Sequence, residues 1–175
     1  GGSSRGEMLA KKMRQQKTDR DRPANLIEAV AEGVKFSNLE WIMDTHINRL
    51  LVLRPNLDSI DRVRQLSRTF SYLGNDYDFR FDFADSSRQV CTEVIYRSIN
   101  GLNGVEFELT RRGGHLTLSA DDLVNYWLEV HPESFEFVLF AEEAPLSVTH
   151  RAQILTGTTG KLRLEKLMTS GGNNQ

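Results

Sequence analysis

A single cysteine, Cys91 in the stretch QVCTEVIY, and four histidines, His46, His115, His131 and His150, are the residues best suited to nucleophilic and acid–base chemistry. A cysteine attacks as its thiolate. It needs a histidine to take the proton and a third group to orient the imidazole. The bland alternative is a small apolar residue packed into a helix face, since free cysteine is among the most buried residue types. Residues 86–101 predict a helix that starts at Ser86 or Ser87 and ends at Asn100-Gly101, with Val90, Cys91, Val94, Ile95 and Ile99 as its apolar face. Cys91 then falls in the first or second turn, where unpaired N–H groups and the positive end of the helix dipole favour a thiolate. Taken singly, each histidine reads more readily as a surface or turn residue than as a base. No pair has metal-ligand spacing, and one cysteine argues against a zinc site, so no metal and no cofactor are expected.

The elements that must hold these groups are legible as patterns. ANLIEAV and GVKF read as two short extended segments with a turn before Gly33; Leu26, Glu28 and Val30 point one way, Ile27 and Ala29 the other. HINRLLVLRP is a strand stopped by Pro55. LDSIDRVRQLSRTFSYLG is a helix capped by Asp58 or Ser59, with Ile60, Val63, Leu66, Phe70 and Leu73 on one face and Gly74 at its end. A loop, NDYDFRFDFADSS, leads to the cysteine helix. VEFELT and HLTL form a hairpin about RRGG, and SADDLVNYWLEV is a helix opened by Ser119 and Asp122 as a capping box. FEFVLFA is a buried strand, and KLRLEKL is a short segment within a mixed end. The order predicts an α+β fold with a mostly antiparallel sheet packed against helices.

With 175 residues, 39% hydrophobic and 26% charged, the chain suits one domain with a real core. Its net charge of -2 gives no global field that draws nucleic acid or anionic lipid. One cysteine makes no internal disulfide, and no apolar run is long enough to span a bilayer. Residues 1–23 are expected to be a polar linker, a solvated helix or a non-native remnant, despite the basic run KKMRQQKTDRDR. Residues 24–168 are expected to form the domain and 169–175 a disordered tail.

Three stretches in order, ANLIEAVAEGVKFSNLEWI with HINRLLVLRP, then YLGNDYDFRFDF, then VCTEVIYRSING, resemble the circularly permuted papain-like amidases of the NlpC-type superfamily and, within it, the YaeF/YiiX-like group. The resemblance covers roughly residues 24–101. It implies a permuted papain-like fold and a cysteine hydrolase that cleaves an amide or related acyl bond through a thioester. It makes Cys91 the nucleophile and Glu28 the carboxylate that orients the histidine. Tyr77 and Asp78 match the family's loop before the nucleophile helix, as groups that line the cleft or support an oxyanion. Glu93 matches the residue two after the nucleophile, although helical geometry turns it about 200° from Cys91. In this family the histidine lies on a strand just ahead of the Glu-Ala strand, and residues 1–27 contain none. Either that strand lies ahead of residue 1, which is the reading preferred, or this branch has lost its base, or another histidine substitutes. The expected substrate is a peptide, a cell-wall peptide or a lipid acyl group, with membrane proximity through that upstream segment. A non-catalytic binding or scaffold domain of the same fold and a thioester acyltransferase are the alternatives.

Overall fold

A computed structural model describes residues 2–45, 48–83, 86–143 and 152–171. In chain order its first elements are α1 (Gly2–Arg14), β1 (Leu26–Val30), β2 (Gly33–Ser37), α2 (Leu39–Thr45), β3 (Arg49–Pro55) and α3 (Ser59–Ser71). Then come β4 (Asp76–Tyr77), β5 (Arg88–Gln89), α4 (Cys91–Ile99), β6 (Thr110–Arg112), β7 (His115–Thr117) and α5 (Ala120–Asn125). A π-helical turn over Tyr126–Val130 precedes β8 (Phe135–Glu143), β9 (Ala152–Leu155) and α6 (Gly157–Gly171). The class is α+β. The strand pairs are antiparallel except β4 with β5.

The chain divides into two compact units, where the sequence suggested one domain. The first comprises Gly1–Trp41 and Leu57–Leu123. Its β1–β2 hairpin pairs Ala29 with Val34 and Ile27 with Phe36. Ala29 and Val34 are buried with Val94 of α4, and Ile27, Tyr72, Leu73 and Tyr77 pack around them. Gly33 is required at the turn: its φ is 105°, and a Cβ there would lie 2.5 Å from the Asn75 carbonyl oxygen. That close approach lets Val34 N–H bond Asn75 O at 2.9 Å, which ties the hairpin to the end of the α3 segment.

Of the readings offered for the polar N-terminal stretch, the helix is the one observed: α1 packs along α3. Other expectations are corrected in this unit. The cysteine helix starts at Cys91, not at Ser86 or Ser87, because Arg88 and Gln89 pair with Asp76 and Tyr77 as a short parallel ladder. Its buried face comprises Glu93, Val94, Ser98 and Ile99; Cys91 and Ile95 are exposed. The hairpin about Gly113-Gly114 is only three residues a side. Val105 and Phe107 are still buried between exposed neighbours, so the alternation decides burial without a ladder. There Val105 N–H bonds Leu102 O at 2.9 Å and Phe107 N–H bonds the Asn100 side chain at 2.8 Å. The helix α2 has no counterpart in the sequence reading.

The second unit comprises Ile42–Asn56 and Val124–Gln175. Its sheet runs β3-β8-β9, with a register shift between Val52 and Leu53. Trp127 is buried, donates to Phe135 O at 3.0 Å and stacks on Phe137. The helix α6 closes on β8 at Gly160, where a Cβ would lie 2.7 Å from both Phe137 Cζ and Leu155 O. Residues 172–175 lie outside the described residues. Among the described residues no helix is long and apolar enough to cross a membrane.

Candidate active site around Cys91

Cys91 occupies the first helical position of α4 and is exposed. Val90 before it is extended, with φ of -98° and ψ of 166°, and is buried. Turning from that extended residue into a nine-residue helix aims the first-turn N–H groups, which have no acceptor within the helix, toward the thiol end.

Glu93 fixes this start. Its carboxylate is wholly shielded from solvent and accepts the Val90 N–H at 3.3 Å. Arg97, one turn on, donates to Glu93 Oε1 from Nε at 2.9 Å and Nη2 at 2.7 Å. The same Nη2 donates to the Phe83 carbonyl at 2.7 Å. Burial raises the Glu93 pKa; the Arg97 bonds and charge pull it back, and the charge of Asp78 adds to the rise. Glu93 is thus a structural carboxylate that caps α4, in line with its turn away from Cys91.

Tyr77 approaches from β4. Its ring meets Phe79 and Phe81 edge-on, with centroids 4.9 and 6.4 Å away. Burial raises its pKa first, followed by the charges of Cys91 and Asp78. The phenol therefore stays protonated at neutral pH, a donor on the strand residue that pairs with Gln89, two residues before Cys91. Asp78 is buried, and its carboxylate accepts the N–H groups of Arg80 at 2.9 Å and Asp82 at 2.5 Å. It folds the 78–83 loop back on itself and holds Phe81 at φ 54°, a left-handed conformation costing a side-chain-bearing residue about 1–2 kcal/mol. The loop leaves Phe79 and Phe81 67% and 49% exposed beside Tyr77.

The face that Glu28 takes is set by β1. Ile27 and Ala29 face Val94, so strand alternation turns Glu28 to the other face of β1, opposite Lys35 of β2. Lys35 there meets Asp19 at 3.4 Å and Glu32 at 3.9 Å. The structure thus sets Tyr77 and Asp78 along Gln89, just before Cys91, and Glu93 in the first turn with it, while Glu28 lies on the face of β1 opposite Ile27 and Ala29.

Of the histidines, His46 and His150 lie outside the described residues. His115 belongs to the unit of Cys91, its Nδ1 3.8 Å from Asp82 Oδ1. His131 belongs to the other unit, its Nδ1 3.0 Å from Glu133 Oε1. No cluster of three histidine, cysteine or acidic side chains suited to a metal occurs among the described residues.

Sequence reasoning missed Arg97 and Gln89. The i, i+4 spacing of Glu93 and Arg97 was an available signal. Gln89 had none: it is wholly buried and donates to Ser86 O at 3.0 Å, while its Oε1 has no partner among the described residues.

No protein family and no curated protein matches the chain. A solved structure described as the metalloprotein YiiX from Escherichia coli O157:H7 is similar at 20% identity, with a TM-score of 0.45. The similarity covers 80% of this chain and 78% of that one.

Proposed function

We propose that the unit carrying Cys91 is a cysteine hydrolase of the permuted papain-like type, cleaving an amide or related acyl bond through a thioester. Cys91 Sγ bonds to the acyl carbon as the carbon–nitrogen bond breaks, and the thiol proton leaves with the amine by way of a histidine. Water then cleaves the thioester, giving the acid and returning a proton to the sulfur. The observation that carries this reading is the exposed thiol at the first position of α4, with the Tyr77 phenol on the short strand that pairs with Arg88-Gln89 just before it. First-turn N–H groups and that phenol are suited to an oxyanion. On the family resemblance the base is a histidine oriented by Glu28.

A second reading, a non-catalytic binding domain of the same fold, is favoured by one observation: the Glu28 side chain faces away from the Val94 side of β1.

The test is acylation by p-nitrophenyl acetate, followed by mass spectrometry, together with the iodoacetamide rate near pH 7. The hydrolase reading expects one acetyl group on Cys91, absent from Cys91→Ser, and alkylation about fivefold faster than that of free cysteine. No acetyl adduct, with alkylation at or below the free-cysteine rate, supports the binding domain.

A further inference from the structure

We propose that Arg97 is a positioning residue for Cys91: its guanidinium ties the first turn of α4 to the loop 78–83, and this tie fixes the thiol relative to Tyr77, which pairs with Gln89 two residues before Cys91. The inference rests on the reading of Cys91 as the nucleophile. It begins from the two acceptors that one side chain serves. Glu93 Oε1 receives both Nε and Nη2, and the Phe83 carbonyl receives Nη2. Through the Val90 N–H on its other oxygen, Glu93 carries the restraint to the residue just before Cys91. Through Phe83, Arg97 restrains the far end of the loop whose near end Asp78 folds. Phe83 also packs on Tyr96, with ring centroids 5.7 Å apart, so the loop meets α4 at two successive residues.

Neutralising Glu93 would need only a cation. Holding Glu93 through Nε and Nη2 while Nη2 also reaches the Phe83 carbonyl uses two nitrogens set apart in one plane, which the single nitrogen of an ammonium does not supply. Arg97→Lys therefore separates the two roles: it keeps the charge beside Glu93 and gives up the bridge. A merely structural arginine predicts no local consequence in a folded Arg97→Lys chain.

The readout is the ultraviolet titration of the Tyr77 phenol, assigned by difference from Tyr77→Phe, before and after Cys91 is capped with iodoacetamide. In the wild-type chain capping removes a neighbouring negative charge, so the Tyr77 midpoint is expected to move down. In Arg97→Lys that shift is expected to be lost, and Cys91 to alkylate about threefold more slowly than in the wild type. Where Arg97→Lys does not fold, the neutral pair Glu93→Gln with Arg97→Gln takes its place, with the same loss expected. A wild-type chain without the capping shift, or a variant that keeps the whole shift, overturns the proposal. Slow wild-type alkylation with the shift present counts against an activated nucleophile alone, and leaves the positioning role judged by Tyr77.

Discussion

Arg97 Nη2 lies 2.7 Å from Glu93 Oε1, and that carboxylate is wholly out of solvent while the arginine remains about one-fifth exposed. Removing the cation strands a buried charge. Arg97→Ala is expected to lower unfolding stability by about 3–5 kcal/mol, measured by urea denaturation. Replacing both partners with leucine and methionine is expected to cost far less, because no uncompensated charge stays behind.

Turnover is a separate matter from acylation. On the proposed reading the base is a histidine before the Glu28 strand, and residues 1–27 contain none. If the base is placed there, the 175-residue chain is expected to hydrolyse amides little or not at all, for want of general-base help of roughly 10²–10⁴-fold. Free imidazole in the assay should speed release of the acetyl group from Cys91. Robust unassisted turnover, lost on replacing His115, would move the base to that residue.

Ser119 and Asp122 satisfy each other at the head of α5. The Ser119 N–H donates to Asp122 Oδ2 at 2.8 Å, and the Asp122 N–H donates to Ser119 Oγ at 3.1 Å. Ser119→Ala is expected to cost about 0.5–2 kcal/mol, read from the denaturation midpoint.

Acid should weaken the second unit through Glu142. The two Arg163 bonds, at 2.5 and 2.9 Å, hold its carboxyl below the ordinary value of 4.5, against the opposing effect of burial. The unfolded chain then binds more protons between the lowered and the ordinary value, so this contribution grows with pH through that window. It is complete above the ordinary value and lost as pH falls through the folded one. Glu142→Gln should flatten that acid slope in denaturation series between about pH 3 and pH 6. Glu93 works in the opposite sense: its raised value makes its contribution decline as pH climbs above 4.5.

How much the sequence disclosed follows from where each interaction partner lies. The capping box at Ser119 was legible because donor and acceptor sit three residues apart. The Asp58 cap of α3, which takes the Ile60 and Asp61 N–H groups, was legible for the same reason. The start of α4 was misread because Arg88 and Gln89 are drawn into a parallel pair with Asp76 and Tyr77, a partner no local pattern encodes. That pairing is also what leaves Cys91 at the very first helical position. VEFELT alternates, yet Asn100 and Leu102 take its backbone bonds, so periodicity reported burial and not a ladder. At the site, motif order put Tyr77, Asp78 and Cys91 in one neighbourhood. The link from Arg97 to Phe83 depends on a carbonyl fourteen residues away, which side-chain identities do not reveal.

The β1–β2 hairpin stands as a sheet of two strands, which leaves one long side of β1 without a ladder partner among the described residues. Backbone groups along such a margin are a template for another chain, and LIEAV is apolar enough to invite self-association. Glu28, in the middle of that run, brings a charge into any register that would stack one copy on the next. A charge at that position is of the kind that sets an open strand margin against pairing with its own copies.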